Sequence, residues 1–221
     1  MFELQEVTAV IVNFKTADLT RQAVSSFRDF YPVMQLLLID NGSHDESTAL
    51  LQGLRNQSPD ITCLILNDRN IHHGPAMDQA LRAVQSKYVL FLDSDCEVIR
   101  GGFIQAMVAL SEQQLQHYAV GQKVLMNSRG FDVPPSREVF EYLRPICMLV
   151  KRETYLTFPA FEKHGTPCLK NFRFAISKGY HLVDFPVLEY VHHKGRGTSS
   201  QHGYRLGLRG KWNHLMHKLG L

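Results

Sequence analysis

The sequence predicts an α/β fold: a mostly parallel sheet flanked by helices and followed by a basic C-terminal tail. Short β-branched and apolar runs alternate with amphipathic segments through the first half of the chain, a pattern typical of a parallel sheet covered by helices. Of the 221 residues, 44% are hydrophobic, which is enough for one sizeable core. After Glu189 there is no Asp or Glu, while Lys and Arg recur, so this end favours anionic partners.

The first two strand and helix units are each predicted from an apolar run followed by a turn. Residues 7–14 form a β-branched run, and helix-start residues at 16–18 lead into apolar residues at helical spacing. Tyr31-Pro32 ends that helix, a second run follows at 36–39, and residues 40–43 form a turn before another amphipathic segment. Because the unit repeats, we expect adjacent parallel strands.

The later elements are predicted in the same way. We expect strands at 61–66, 88–92, 120–126 and 146–150, helices at 75–84 and 103–115, and a surface loop at 128–135 that contains Pro and Gly. The four cysteines form no Cys-x-x-Cys pair and lie mostly in apolar runs, which predicts reduced thiols. Acids near the N-terminus do not fit a signal peptide, and no apolar run approaches ~20 residues, so we expect a cytoplasmic protein.

Two acids follow the most apolar predicted strand. Asp93, Ser94 and Asp95 come directly after residues 88–92, and ligands of open α/β sheets bind at the carboxyl ends of strands. Two carboxylates there can hold a divalent cation, which in turn takes phosphate oxygens. An acidic turn after a strand is also ordinary loop chemistry, so the motif alone leaves both interpretations open.

Polar residues also follow the first and second predicted strands. They are Asn13 and Lys15 after the first strand, and Asp40 and Asn41 after the second. Because parallel strands end at one edge of a sheet, we expect these side chains to converge with the acid pair on one crevice.

Four segments in order resemble the family 2 glycosyltransferases, which have the GT-A fold. They are residues 10–14, 39–45, 70–76 and 91–95, with weaker likeness at 179–183 and 191–195. The resemblance implies a glycosyltransferase domain over 1–190, with a nucleotide-sugar-binding half at 1–100 and an acceptor-binding half at 101–190. Residues 191–221 are then expected to form a basic loop and an amphipathic helix.

The resemblance also implies a metal site and a leaving diphosphate. Asp95 is expected to coordinate Mn²⁺ or Mg²⁺, and Asp93 to approach both the ribose and the metal shell, with Ser94 beside the donor. A late histidine joins this site in the family, and we expect His192 in that role slightly ahead of His193. An imidazole suits both Mn²⁺ and a phosphate oxygen. A zinc site from the histidine pairs lacks ligand spacing.

Further donor contacts follow from the resemblance. Asp40 is expected to accept a hydrogen bond from the imide N–H of uracil or thymine, which implies a UDP- or dTDP-sugar. Asn13, Lys15 and Asn41 line the same end. Alternatively, residues 40–43 only cap the next helix, and the two roles are compatible. His73 and Gly74, before the third helix, are expected near the donor phosphate.

The acceptor side departs from the family pattern. Relatives carry an acidic pair about a dozen residues before the Gly-Tyr that is Gly179-Tyr180 here, but residues 164–170 contain no carboxylate. An inverting transfer needs a base within reach of the acceptor hydroxyl. We expect Glu162 to be that base. The other candidates are His164, Asp184, Glu141 and Glu138.

The tail has an amphipathic pattern with a basic face. Trp212, Leu215, Met216 and Leu219 share helical spacing, so this helix could pack on its own domain or on a dimer mate. An anionic membrane surface near a lipid-linked acceptor is an alternative, and nucleic acid is a weaker one.

A second class of function also stays open: a catalytically degenerate GT-A module that binds nucleotide, membrane or nucleic acid. A nucleotidyltransferase or a dinucleotide-binding oxidoreductase fits less well, because the first strand is followed by no Gly-rich phosphate loop.

Overall fold

The computed structural model describes residues 6–127, 132–134, 139–162 and 165–194. The strands are β1 (Val7–Asn13), β2 (Gln35–Asp40), β3 (Thr62–Leu66), β4 (Tyr88–Leu92), β5 (Cys96–Val98), β6 (His117–Met126), β7 (Phe140–Lys151), β8 (His181–Asp184) and β9 (Val191–His193). The helices are α1 (Ala17–Phe30), α2 (Glu46–Gln57), α3 (His73–Ala83), α4 (Phe103–Glu112), α5 (Arg152–Leu156) and α6 (Leu169–Ser177), with a 3-10 turn at Val187–Glu189.

A seven-stranded sheet in the order β3-β2-β1-β4-β7-β6-β8 forms the centre of the fold. Strands β3, β2, β1 and β4 are parallel to one another, and β8 is parallel to β6. Only β7 runs antiparallel to its neighbours β4 and β6 in this sheet. The predicted mostly parallel sheet is confirmed.

Both faces of the sheet are buried by helices, as the continuous apolar runs predict. In β1, Val7, Ala9 and Ile11 join a core with α1, α2 and α4, whereas Val10 joins a second core with α3, α5 and α6. The alternation follows from the two-residue period of a strand. The two halves predicted at 1–100 and 101–190 thus share one sheet, joined by the pairing of β4 with β7.

Several element bounds differ from the predicted ones. Strands β6 and β7 are longer than expected, α4 ends at Glu112 instead of 115, and β5, β8 and β9 were not predicted. In the predicted loop at 128–135, residues 132–134 are described, and Asp132 forms an isolated bridge with Met126.

The first residues of the segment predicted at 191–221 lie in a strand. β9 pairs antiparallel with β5, so residues 191–193 form part of a small two-stranded sheet, and the predicted division of the chain into domains stays a prediction. The predicted amphipathic helix around Trp212 lies outside the described residues. Among the residues that are described, no helix combines the length and apolar character needed to cross a membrane.

Candidate functional site

The polar strand ends meet at one edge of the sheet. Asn13 at the end of β1 pairs in register with Asp40 at the end of β2. Asp93 follows β4, the other neighbour of β1, and its backbone N–H donates to the Ile146 carbonyl of β7 at 2.9 Å. The structure therefore brings the predicted donor-side residues to a common edge, where they form two clusters of different character.

The first cluster is centred on Asn13, which is 0% exposed. Its amide nitrogen donates to Ser43 Oγ at 3.0 Å and to Asp40 Oδ1 at 3.4 Å. Its carbonyl oxygen accepts from the Thr20 hydroxyl at 2.8 Å and from both the hydroxyl and the backbone N–H of Thr16. Asn13 thus ties β1 to the start of α1 and to the turn after β2.

Asp40 and Asn41 extend this arrangement. Asp40 is 2% exposed, and its carboxylate accepts from the Ser43 N–H at 3.2 Å and the Thr48 hydroxyl at 2.5 Å. Asn41 is buried and bonds to Asn67, Asn70, Ile71 and His72 of the loop before α3. We call Asn13, Asp40, Asn41 and the groups they bond the strand-end network. Its contacts are those of a scaffold, which matches the turn and capping interpretation.

The donor contacts predicted for these three side chains stay predictions, because none of them lies on an open surface here. Asp40 would have to exchange one of its hydrogen bonds to reach a nucleotide base. Lys15 differs: it is exposed, its backbone N–H donates to Ser43 Oγ at 2.9 Å, and its ammonium lies 5.6 Å from the centre of the Phe14 ring. It is therefore accessible to a ligand at this edge.

The second cluster consists of Asp93, Asp95 and His193, and we call it the acidic cluster. His193 Nε2 lies 3.2 Å from Asp95 Oδ1. The side chains of Asp93 and Asp95 are 24% and 14% exposed, so both lie in a recess that solvent still reaches. Ser94, between them, contacts the Thr16 hydroxyl at 3.1 Å and so links the cluster to the strand-end network.

The histidine of this cluster is His193, whereas the sequence favoured His192. In the β5–β9 pair, Cys96 faces His193 and Glu97 faces His192, and successive side chains of a strand point to opposite sides. His192 is exposed. The structure places His193, its neighbour, against Asp95, and the metal-binding role of His192 stays a prediction.

Like charges and burial set the electrostatics of the acidic cluster. Burial raises the pKa of Asp93, the negative charge of Asp95 raises it further, and His193 partly opposes the shift. The hydrogen bond to Asp95 raises the pKa of His193 against the effect of its own burial. Two carboxylates held together in this way favour binding of a cation, which would relieve their repulsion.

The chemistry of the donor atoms fits a manganese ion. Asp95, Cys96 and His193 each offer one ligand atom, and these atoms lie within 4.8 Å of one another. The Cys96 thiol donates to the Ile146 carbonyl at 3.3 Å, and burial raises its pKa well above its usual range, so Cys96 is in the form of a thiol. Carboxylate oxygens and one imidazole then remain, a set that suits Mn²⁺ and, through its oxygens, Mg²⁺.

His73 and Gly74 lie where α3 begins, next to this cluster. His73 Nε2 is 3.6 Å from Asp93 Oδ1, too long for a hydrogen bond. Burial lowers the pKa of His73 to about 4, against the opposing effect of Asp95, so the imidazole is neutral near pH 7. A Cβ on Gly74 would lie 2.7 Å from the Glu162 carbonyl group, so only glycine allows this close approach.

The same approach brings the Glu162 backbone to the edge of the site. Its side chain is 41% exposed and pairs with Lys170 Nζ at 2.7 Å.

The other candidate bases that the structure describes lie elsewhere. Asp184 lies on β8, separated from β4 by β7 and β6, and it accepts from the Lys123 N–H. Glu141 pairs with Lys123, while His164 and Glu138 lie outside the described residues. Glu162 is thus the candidate base whose segment the structure brings to the site.

Comparison with known proteins is consistent with this geometry. The family model described as Glycosyl transferase family 2 matches residues 8–177. A mannosyltransferase from Pyrobaculum calidifontis, solved with GDP-Man and Mn²⁺, superposes with a TM-score of 0.63 at 16% identity, covering 82% of this chain and 55% of its own. TarS from S. aureus, solved with UDP-GlcNAc, gives 0.59 at 15% identity, covering 88% and 60%.

These likenesses establish the GT-A fold. The chain spans 55% and 60% of the lengths of these two solved proteins. A search of curated proteins finds no significant match. The identities of 16% and 15% are too low to transfer a donor or an acceptor.

Proposed function

The chain belongs to glycosyl transferase family 2, and from that premise we propose that it is a metal-dependent, inverting glycosyltransferase. Its donor is a UDP- or dTDP-sugar and its acceptor a hydroxyl group. The observation that carries the proposal is the acidic cluster at the carboxyl end of β4, where Asp95 Oδ1 and His193 Nε2 lie 3.2 Å apart. A site for a cation at this edge is what a nucleoside diphosphate leaving group requires.

The acidic cluster would act on the leaving group. Asp93, Asp95 and His193 would hold Mn²⁺ or Mg²⁺, and this ion, when bound, neutralises charge that develops on the departing diphosphate. Lys15 is exposed at the same edge. His73 is neutral there and can donate one hydrogen bond to a phosphate oxygen without adding charge.

The strand-end network would position the nucleotide. The Asn13 and Asp40 bonds fix the turn after β2, and Asn41 fixes the loop before α3. A rigid edge lowers the entropic cost of holding a flexible ligand in one orientation. In this proposal Asp40 exchanges one bond to accept the imide N–H of the base, which favours uracil or thymine over cytosine.

Glu162 is the proposed base for the acceptor hydroxyl. Inversion by a single displacement requires the base on the face of the sugar opposite the leaving diphosphate. The Glu162 segment lies against Gly74 at the rim of the site, and its carboxylate is accessible. Lys170 Nζ pairs with that carboxylate at 2.7 Å, so the acceptor must compete with Lys170 for it.

The Glu162–Lys170 pair also favours a second candidate function. A carboxylate occupied by an ammonium group at 2.7 Å, in a chain that lacks the acidic pair of its relatives, is what a nucleotide-binding module without transfer would retain. Both candidate functions require nucleotide binding, but only the glycosyltransferase turns over a sugar donor.

Incubation of the protein with a panel of nucleotide sugars and Mn²⁺ tests the proposal. We expect metal-dependent hydrolysis of a UDP- or dTDP-sugar, with water as a slow acceptor, and loss of the reaction in a chelator. Nucleotide binding with no turnover of any donor would favour the second candidate. Absence of binding to every nucleoside diphosphate would contradict both.

A further inference from the structure

Strand β7 carries a large irregularity beside the acidic cluster. Gly121 of β6 pairs with Met148 of β7, and Lys123 pairs with Leu143, so two steps along β6 match five steps along β7. The extra residues include Arg144 and Pro145. Bulges of this kind bend a strand and redirect its side chains, and they are frequent next to active sites.

The bulge is bonded directly to the acidic turn. The Ile146 carbonyl accepts the backbone N–H of Asp93 at 2.9 Å and the thiol of Cys96 at 3.3 Å. Pro145 has no N–H for a ladder bond, which is why a break in the pairing is tolerated here. Arg144 is therefore placed two residues from the backbone group that holds Asp93.

The guanidinium of Arg144 is only partly used by the described residues. Its Nη2 pairs with Asp132, whose backbone bridges to Met126 at the end of β6. Its Nε is buried and has no hydrogen-bond partner among the described residues. A buried donor without a partner is costly. The side chain as a whole is 34% exposed and a guanidinium offers five N–H groups, so its accessible N–H groups retain capacity for an anion.

The charge of Arg144 also acts on the acidic cluster. The Arg144 guanidinium lies close enough to His193 to interact with it electrostatically. Arg144 therefore acts electrostatically on the acidic cluster, which would hold the metal. A simple surface ion pair with Asp132 would explain neither the bulge nor the unpaired buried Nε.

We propose that Arg144 is an anion-binding residue of the donor site, which contacts the diphosphate of the nucleotide beside the acidic cluster. A planar guanidinium suits phosphate oxygens, to which it can donate two parallel hydrogen bonds. It adds a fixed positive charge where the leaving group develops negative charge. This inference rests on the proposed function, because it requires a nucleoside diphosphate at the same edge.

The test compares phosphate-containing ligands with the bare nucleoside. Binding to wild type, Arg144→Gln, Arg144→Lys and Lys123→Gln is measured by calorimetry with Mn²⁺. The probes are the diphosphate that wild type binds among UDP, dTDP and GDP, and the matching nucleoside. Lys123 is the matched control. It lies on β6 opposite Leu143 of β7, next to the bulge, and it pairs with Glu141 as Arg144 pairs with Asp132.

We expect Arg144→Gln to weaken diphosphate binding by about tenfold to a hundredfold and to leave nucleoside binding unchanged. Arg144→Lys keeps the positive charge but loses the planar guanidinium, so its affinity for the diphosphate should lie between those of wild type and Arg144→Gln. Lys123→Gln should bind like wild type. Thermal unfolding of each variant checks that the domain remains folded.

Two results would overturn the inference while leaving the proposed function intact. One is unchanged diphosphate affinity in Arg144→Gln. The other is an equal loss for nucleoside and diphosphate, which would indicate a purely structural role. If wild type binds none of the three diphosphates, the proposed function itself fails.

Discussion

The strand-end network and the acidic cluster lie at the same edge of the sheet and both contain aspartates, but the hydrogen bonding of these aspartates differs. In the network, Asn13 and Asp40 are buried and their polar atoms bond to residues of the same domain. In the acidic cluster, Asp93 and Asp95 lie side by side, and the charge of Asp95 raises the pKa of Asp93.

This difference separates scaffold from site. A buried polar group whose hydrogen bonds are satisfied contributes to stability, and its loss leaves partners unpaired. Carboxylates held together against repulsion contribute little to stability, and they are typical of functional sites. We therefore expect substitutions in the acidic cluster to affect ligand binding and turnover, and substitutions in the network to affect the free energy of unfolding.

The largest effect is expected for Asp95→Ala. Removal of this carboxylate takes away a proposed metal ligand, so metal-dependent binding of a nucleoside diphosphate should be lost and donor turnover should fall about 100- to 1,000-fold. Its free energy of unfolding should change by less than about 1 kcal/mol, since a like-charge repulsion is relieved. Glu97→Gln, two residues further along the chain on β5, is the control. Unchanged affinity in calorimetry would remove Asp95 from the metal site.

Glu162→Gln extends the comparison to a residue outside both clusters. If Glu162 is the base, turnover should fall by about 100-fold or more, because general base catalysis is lost. The dissociation constant of the donor should not change, since the amide keeps the shape of the side chain. Lys170→Met, which removes the partner at 2.7 Å and keeps Glu162, is the control and should retain turnover. A Glu162→Gln protein with near-normal turnover would exclude this base.

Asn13→Ala should have the largest effect on stability within the network. The side chain bonds to Thr16, Thr20, Asp40 and Ser43, and several of these groups would be left buried and unpaired. We expect a loss of about 3 kcal/mol in the free energy of unfolding, measured by urea denaturation.

Asn56→Ala, at an exposed position of α2, provides the control for that measurement and should stay within about 0.5 kcal/mol of wild type. A loss below about 1 kcal/mol for Asn13→Ala would mean that the network is not the scaffold that its bonds suggest.

The sequence predicted the parallel half of the fold because β1, β2 and β4 are mostly buried apolar runs, each followed by a turn, and β3 is an apolar run although it is only partly buried. It failed where pairing between distant segments decides the structure. β5 and β9 have three residues each, too few for a periodic pattern. The choice between His192 and His193 depends on their register with Glu97 and Cys96, which no local pattern reveals. β7 was predicted too short because Pro145 lies within it, and a proline normally indicates the end of a strand.

For the candidate site, the sequence predicted the edge at which the residues meet but not their bonds. The partners of Asn41 belong to a loop about 30 residues further along the chain, such as Ile71, and only the folded structure shows that they use its hydrogen-bonding capacity. Residue type and position therefore predicted location, while the division into scaffold and site required the tertiary contacts.

Thr48→Val gives the smallest expected effect. It tests whether Asp40 belongs both to the scaffold and to the ligand-binding site. The substitution keeps the shape of the side chain and removes the hydroxyl that donates to Asp40 Oδ2 at 2.5 Å. We expect a loss of about 1 to 2 kcal/mol in stability. UDP and its N3-methyl analogue are then compared by calorimetry in wild type and in this variant. If Asp40 accepts the imide N–H, both proteins should prefer UDP, and the variant should prefer it more strongly because its Oδ2 no longer has to release Thr48. Equal affinity for the two nucleotides in both proteins would assign Asp40 to the scaffold alone.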